Sequence, residues 1–231
     1  MPFIVSLLQD SWLAVIVTLV GGYLLGSFNT AIIVTRAHSG TDIRDYGSGN
    51  AGATNVLRSQ GVWPAAITMA GDLIKSILAV LVGYFAFTYL HMADAPATEY
   101  VSTIGRYLGG FASLIGHLFP LYFGFRGGKG VVVTLGMTLI LDWRVALLSL
   151  TTFIIVVFIW RMVSLGSCIA GVVLVILTGV FKFVDTGDPF LITFCTASMG
   201  VVVGIAIIKH IPNIKRIIAG TESKVSFKKK G

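Results

Sequence analysis

Gly40-Thr41-Asp42-Ile43-Arg44-Asp45-Tyr46-Gly47-Ser48-Gly49-Asn50-Ala51-Gly52-Ala53-Thr54-Asn55-Val56-Leu57-Arg58 is a polar, glycine-rich stretch set between two long apolar ones. Glycine lets backbone N–H groups come close to an anion, and turns of this kind aim several N–H groups at one oxygen cluster. Arginine adds a planar fork of donors that suits phosphate. The stretch reads as an anion site, for phosphate first of all, held at a membrane surface.

The membrane is read from what flanks it. Of 231 residues, 55% are hydrophobic and only 12% charged. Uncharged runs recur at 12–35, 77–90, 107–125 (Arg126 follows), 145–160, 162–181 and 190–208. A helix needs about 20 mostly apolar residues to cross the hydrocarbon core. The pattern predicts an all-α polytopic membrane protein, one integral membrane domain over residues 1–231, with about seven transmembrane helices. The spans are expected at 12–35, 62–90, 101–123, 131–142, 145–160, 163–184 and 190–208. Spans four and five are short, so they are expected to be tilted, re-entrant or in a thin bilayer, and a five-span arrangement keeps the same sidedness. Met1-Pro2-Phe3-Ile4 lacks the basic start of a cleaved signal peptide, so the first span is expected to stay.

Charge orients the spans. Arg36, Arg44, Arg58, Arg126, Lys129, Arg161, Lys209, Lys215, Arg216, Lys224 and the run Lys228-Lys229-Lys230 fall on one side. Asp10, Asp94, Glu99, Asp142, Asp185 and Asp188 fall on the other, with Arg144 and Lys182. Basic loops face the cytoplasm, which places the N-terminus outside and the C-terminus inside. The same rule explains the net charge of +7 without nucleic acid. Cys168 and Cys195 lie in apolar spans and read as buried hydrophobes, and no metal-ligand spacing is present. Gly22/Gly26, Gly105/Gly109 and Gly200/Gly204 have the spacing of close helix packing.

Further polar groups fall in the same cytoplasmic loops. Gly116-His117 and Pro120 precede Phe125-Arg126-Gly127-Gly128-Lys129-Gly130, which opens an apolar helix whose dipole favours an anion. No Ser or Thr follows Lys129, so this is not a Walker loop. His210-Ile211-Pro212-Asn213 puts an imidazole and an amide three residues apart, one able to move a proton and one to donate to an oxyanion. Pro212 predicts a break there. Ser164 and Ser167 follow Arg161. Few carboxylates stand near these loops, which favours metal-free chemistry between two phosphate-bearing substrates, at least one a lipid.

Taken together these motifs resemble the PlsY family, bacterial membrane glycerol-3-phosphate acyltransferases that use acyl phosphate. The resemblance rests on Gly26-Ser27, Asp42-Ile43-Arg44, Gly47 to Asn50, Gly52 to Val56, Arg58, Gly116-His117, Pro120, Phe125 to Val131, Ser164, Ser167, His210, Asn213-Ile214, Arg216, Gly220 and Glu222. Departures are Ser76 for glycine, Val132-Val133 for Ala-Thr, and Lys209 for arginine. The resemblance implies acyl transfer to the 1-hydroxyl of glycerol 3-phosphate at the cytoplasmic face of the bacterial inner membrane. It implies no cofactor, no metal and no obligatory protein partner beyond membrane lipid. Expected catalytic residues are Ser48, Arg58, Lys129, His210 and Asn213. Expected substrate contacts are Arg44, Gly47, Gly49, Asn50, Thr54, Asn55, His117, Gly127, Gly128 and Ser164. The base is His210 or a substrate phosphate, and Glu222 is expected to pair with an arginine.

Other readings are a transporter of phosphate or a phosphorylated small molecule, a thioester-dependent acyltransferase, and a membrane scaffold. A transporter calls for ionisable residues deep in several spans, and only Asp72 and Lys75 come close. The His-x-x-x-x-Asp pair of thioester-using acyltransferases is missing, since His38 and Asp42 are more closely spaced.

Overall fold

The computed structural model describes the backbone of residues 2–91 and 99–225 and the side chains of residues 10–91 and 99–225. Asp94 and the Lys228-Lys229-Lys230 run lie outside the described residues. The chain divides into two compact units, Met1–Leu141 and Asp142–Gly231. The first holds α1 (Pro2–Ser27), α2 (Thr30–Ser39), α3 (Ala53–Gln60), α4 (Val62–Tyr89), α5 (Glu99–Leu118) and α6 (Val131–Leu141). The second holds α7 (Trp143–Trp160), α8 (Val163–Thr186) and α9 (Pro189–Ile218). Among the described residues, five helical segments are long and apolar enough to cross a membrane: Asp10–Ser39, Val62–Tyr89, Trp143–Trp160, Val163–Thr186 and Pro189–Ile218. Large apolar side chains on these helices stand exposed, Phe158 by 74% and Val184 by 70%, which suits a lipid surround and not water.

In the first unit α1, α4 and α5 pack on one another, with α6 against α4 and α5. Missing side chains make this packing close. A Cβ on Gly22 or Gly26 would strike the α5 backbone at Gly109 or Ser113. One on Gly105 or Gly109 would strike the α4 backbone at Gly83 or Ala79. The third spaced pair behaves differently: a Cβ on Gly200 or Gly204 would meet no atom within 4 Å.

The first span is broken. Asn29 interrupts it and N-caps α2, its Oδ1 accepting from the Ile32 N–H at 3.2 Å. Gly40 then ends α2 in the left-handed region at φ 70°, its N–H donating to the Arg36 carbonyl. The polar stretch that follows is folded. It forms a 3-10 turn, Ile43–Asp45, and then α3. Ala31, Ile32, Ile43, Ala51, Val56 and Ala65 give it a small apolar core, with Phe123 packed against them.

In the second unit, Asp142 and Asp188 cap α7 and α9, and Pro189 stands at the first turn of α9. Arg144 pairs with both Asp142 and Asp185 and lies over the Phe181 ring at 4.4 Å. These contacts tie the start of α7 to the end of α8. The expected break at Pro212 is absent, because α9 runs through it to Ile218. Proline costs a helix one N–H bond and local strain; here the helix absorbs it. His210 and Asn213 are therefore helical residues, and both are buried.

Candidate active site

Two loops of the first unit are joined by one arginine. Arg44 donates from Nε to Asp42 Oδ1 at 2.9 Å and from an Nη to Asp42 Oδ2 at 2.8 Å. Its other Nη donates to the Phe123 carbonyl at 2.6 Å and to the Arg126 carbonyl at 3.3 Å. Residue 44 thus fixes the first loop to the loop that leads into Gly127-Gly128-Lys129. Hydrogen bonds from Arg44, helped by Arg36, hold the Asp42 carboxyl well below the usual carboxylate range against the opposing effect of burial.

Asn55, at the third position of α3, shapes the glycine turn. Its Oδ1 accepts from the Ser48 N–H at 3.1 Å. Its Nδ2 donates to the Ile43 and Tyr46 carbonyls at 3.1 and 2.9 Å. Gly47 and Gly49 take φ of 57° and 69° within that turn, and a Cβ on Gly47 would collide with Asn55 Oδ1. The result is a rigid turn that leaves Gly47, Ser48 and Gly49 exposed, with Asn50 half-buried. Thr54 is half-buried at the start of α3, and Arg58 is exposed in its last turn.

The second loop rests on His117. Gly127 and Gly128 donate their N–H groups to the Leu118 and His117 carbonyls, each at 3.2 Å. A Cβ on Gly128 would collide with His117 Nε2 and with the Ala51 carbonyl oxygen. Only glycine lets the second loop, the first loop and the imidazole meet at this point. Lys129 follows, half-buried, at the start of α6.

Beneath this seam His117 belongs to a cluster whose other members are not among the site residues read from the sequence. Lys75 Nζ lies 2.8 Å from Asp72 Oδ1, 2.8 Å from the Phe28 carbonyl and 3.0 Å from His117 Nδ1. Thr30 Oγ1 donates to Asp72 Oδ1 at 3.2 Å. Asn29 also belongs here, its Nδ2 reaching the Ala51 carbonyl at 3.5 Å. Asp72 and Lys75 show in the sequence as two charges three residues apart inside an apolar helix. Buried ions require partners, and that signal alone marks them.

The second unit has its own polar centre around Glu222. Ser164 Oγ and Asn213 Nδ2 donate to its Oε1 at 2.8 and 2.7 Å, and Arg216 Nε donates to its Oε2 at 2.8 Å. Burial alone would raise the Glu222 pKa, but the hydrogen bonds from Asn213, Ser164 and Arg216 outweigh it and hold it low. The expected pairing of Glu222 with an arginine is thus present. His210 Nδ1 lies 2.8 Å from the Ala206 carbonyl, an acceptor only, so Nδ1 carries the hydrogen and the neutral ring keeps its lone pair on Nε2. Among the described residues, no group of three or more His, Cys, Asp or Glu could hold a metal ion.

Known proteins are similar to this chain in sequence and in fold. A family model described as glycerol-3-phosphate acyltransferase matches residues 16–220, through both units. A glycerol-3-phosphate acyltransferase of Nostoc sp. is 37% identical over 211 residues, 89% of each chain. One from Clostridioides difficile is 39% identical over 216 residues, covering 93% of this chain and 97% of that one. The fold is similar to the crystal structure of PlsY (YgiH), an integral membrane glycerol 3-phosphate acyltransferase, in its glycerol 3-phosphate form. The TM-score is 0.73 at 31% identity, covering 92% of this chain and 96% of that one. The motif order, the helical membrane fold and these matches agree, and the chain belongs to the glycerol-3-phosphate acyltransferase family.

Proposed function

We propose that this membrane acyltransferase moves a fatty acyl group from acyl phosphate to the 1-hydroxyl of glycerol 3-phosphate. The hydroxyl oxygen bonds to the acyl carbon, the C–O bond to phosphate breaks, and the products are lysophosphatidate and inorganic phosphate. The hydroxyl proton passes to His210 or to a substrate phosphate. Acyl phosphate is a mixed anhydride with a good leaving group, so no enzyme nucleophile is required. The protein has to hold two phosphates, align the hydroxyl and stabilise the oxyanion.

One observation carries this reading. Arg44 and the Gly128 seam fix two glycine loops together while Ser48 and Arg58 stay exposed, so cationic and hydroxyl donors sit on a rigid backbone rather than a mobile one. Ser48, Arg58 and Lys129, with the N–H groups of Gly47 and of the start of α3, bind phosphate, while the Gly49 N–H donates to the Tyr46 carbonyl at 3.0 Å and so shapes the turn. Asn50, Thr54 and the Gly127-Gly128 loop contact glycerol 3-phosphate. Arg44, Asn55 and His117 serve the substrates by shaping these loops. In the second unit His210 and Asn213 act on the reacting phosphate or the oxyanion, Ser164 and Glu222 orienting the Asn213 amide. A neutral His210 with its lone pair on Nε2 has the form a base requires.

The topology completing this reading has about seven spans, the N-terminus outside, the C-terminus in the cytoplasm, and the loops at the cytoplasmic face of the inner membrane. The donor is the point to test. Purified protein in detergent, given glycerol 3-phosphate, is expected to acylate it from acyl phosphate and not from acyl-CoA. Transfer from acyl-CoA with none from acyl phosphate would overturn the donor assignment.

A further inference from the structure

The cluster beneath the seam has a directional hydrogen-bond pattern. An ammonium has three N–H donors and no acceptor. Lys75 has three partners around it: Asp72 Oδ1 and the Phe28 carbonyl at 2.8 Å, and His117 Nδ1 at 3.0 Å. Asp72 and the carbonyl can only accept, so Lys75 donates to both. As the ammonium partner of the Asp72 carboxylate, Lys75 has one N–H left after these two, and it goes to His117 Nδ1. Asp72 itself stands 3.7 Å from that nitrogen, too far for a hydrogen bond. All three side chains are buried, Asp72 1%, Lys75 5% and His117 3% exposed, so water does not compete for these positions.

From this geometry we infer that Lys75, held by Asp72 and the Phe28 carbonyl, locks His117 in the Nε2–H tautomer and so sets the seam where the two glycine loops meet. Nδ1 accepts from Lys75, and Nε2 keeps the ring proton. Nε2 faces Gly128, where a Cβ would collide with Nε2 and lie 2.7 Å from the Ala51 carbonyl oxygen, so the first loop, the second loop and α5 come together there. Asp72 and Lys75 are positioning residues that act through His117. His117 is a fixed donor, not a proton acceptor. His210 is the opposite case, with its hydrogen on Nδ1. The chain thus holds its two buried histidines in opposite tautomers.

The inference rests on the proposed function only where it concerns substrate, through the assignment of the Gly127-Gly128 loop to glycerol 3-phosphate. The tautomer itself is measured without turnover. Long-range proton–nitrogen correlation spectra of histidine-labelled protein in detergent resolve four rings, His38, His91, His117 and His210. His117→Gln identifies the His117 signals by their loss. The expected result is an Nε2–H pattern for His117 in the native protein, changed in Lys75→Met. A native His117 with its hydrogen on Nδ1, or on both nitrogens, would overturn the lock.

Kinetics separate positioning from mere stability. Lys75→Met is expected to raise KM for glycerol 3-phosphate about tenfold or more, with KM for acyl phosphate little changed. His117→Gln, which keeps a donor near the Nε2 position, is expected to retain more activity than His117→Asn, which does not. Equal losses in the two His117 variants would refute the donor role. If Lys75→Met does not fold, the native spectrum and the His117 pair still decide the matter. If native protein shows the Nε2–H pattern but acylates nothing, the lock stands and the proposed reaction falls.

Discussion

Arg44 and Arg58 lie in one stretch and look alike in sequence, yet their surroundings give them different work. Arg44 is bound to Asp42 and to two carbonyls of the second loop, while Arg58 stands exposed at the end of α3. Arg44→Ala breaks charge-assisted bonds, each worth about 1.5–3 kcal/mol, and is expected to lower thermal stability and activity together. Arg58→Ala is expected to leave folding and membrane insertion intact and to cut turnover about 100-fold, as loss of a phosphate fork would. Size-exclusion profile and melting temperature beside turnover rate check the pair. Normal turnover in Arg58→Ala would remove Arg58 from the site. Sequence alone does not separate these two arginines, because the difference lies in a contact between residue 44 and residues 123 and 126, about eighty positions away.

At the scale of elements, the start of α8 and the end of α9 are joined by one carboxylate. Glu222 collects Ser164, Asn213 and Arg216, and the Val225 N–H donates to the Arg161 carbonyl at 2.8 Å. Its pKa in the folded protein is below the ordinary 4.5. A carboxyl with a depressed folded pKa adds stability that is complete above the unfolded value and is lost as pH falls through the folded one. Native protein is therefore expected to lose melting temperature on acidification below about pH 4.5 more steeply than Glu222→Gln. Parallel melting curves from pH 7 to pH 3 check this, and identical slopes would deny Glu222 that role. The element boundaries were partly legible. Apolar length marks α4, α7, α8 and α9. The break at Asn29 was not, because Phe28-Asn29 lies in an unbroken uncharged run and its cause is a cap. Nor was helix α3, whose eight residues read as a polar loop until Ile43, Val56 and Phe123 are seen to share a core. Pro212 misled in the other direction, since local chemistry predicts a break that the helix does not make.

For the whole molecule, the charge distribution carries a claim about sidedness. Thr186 is exposed beside the acidic turn at 185–188, and Lys224 is exposed in the basic tail. With Cys168 and Cys195 replaced by alanine, Thr186→Cys is expected to react with an impermeant maleimide in intact cells. Lys224→Cys is expected to react only after the cells are opened. The reverse pattern would invert the topology. Family and helical membrane fold were both legible, because composition, span length and motif order are properties of the chain itself. Of the site, the glycine loops were legible as loops, and their joining by Arg44 and by the His117 seam was not. Asp72 and Lys75 were visible as charges in an apolar helix, but His117, the partner of Lys75, stands on another helix, forty-two positions beyond it.

The measurement that tests the central claim most directly follows both products at once. Purified protein in detergent or lipid is given acyl phosphate and glycerol 3-phosphate without added metal. Phosphate and lysophosphatidate are then measured in parallel. Equal amounts of the two, formed at the same rate, are predicted. Phosphate without lysophosphatidate would make the protein a hydrolase, and neither product from folded protein would contradict the acyltransferase account.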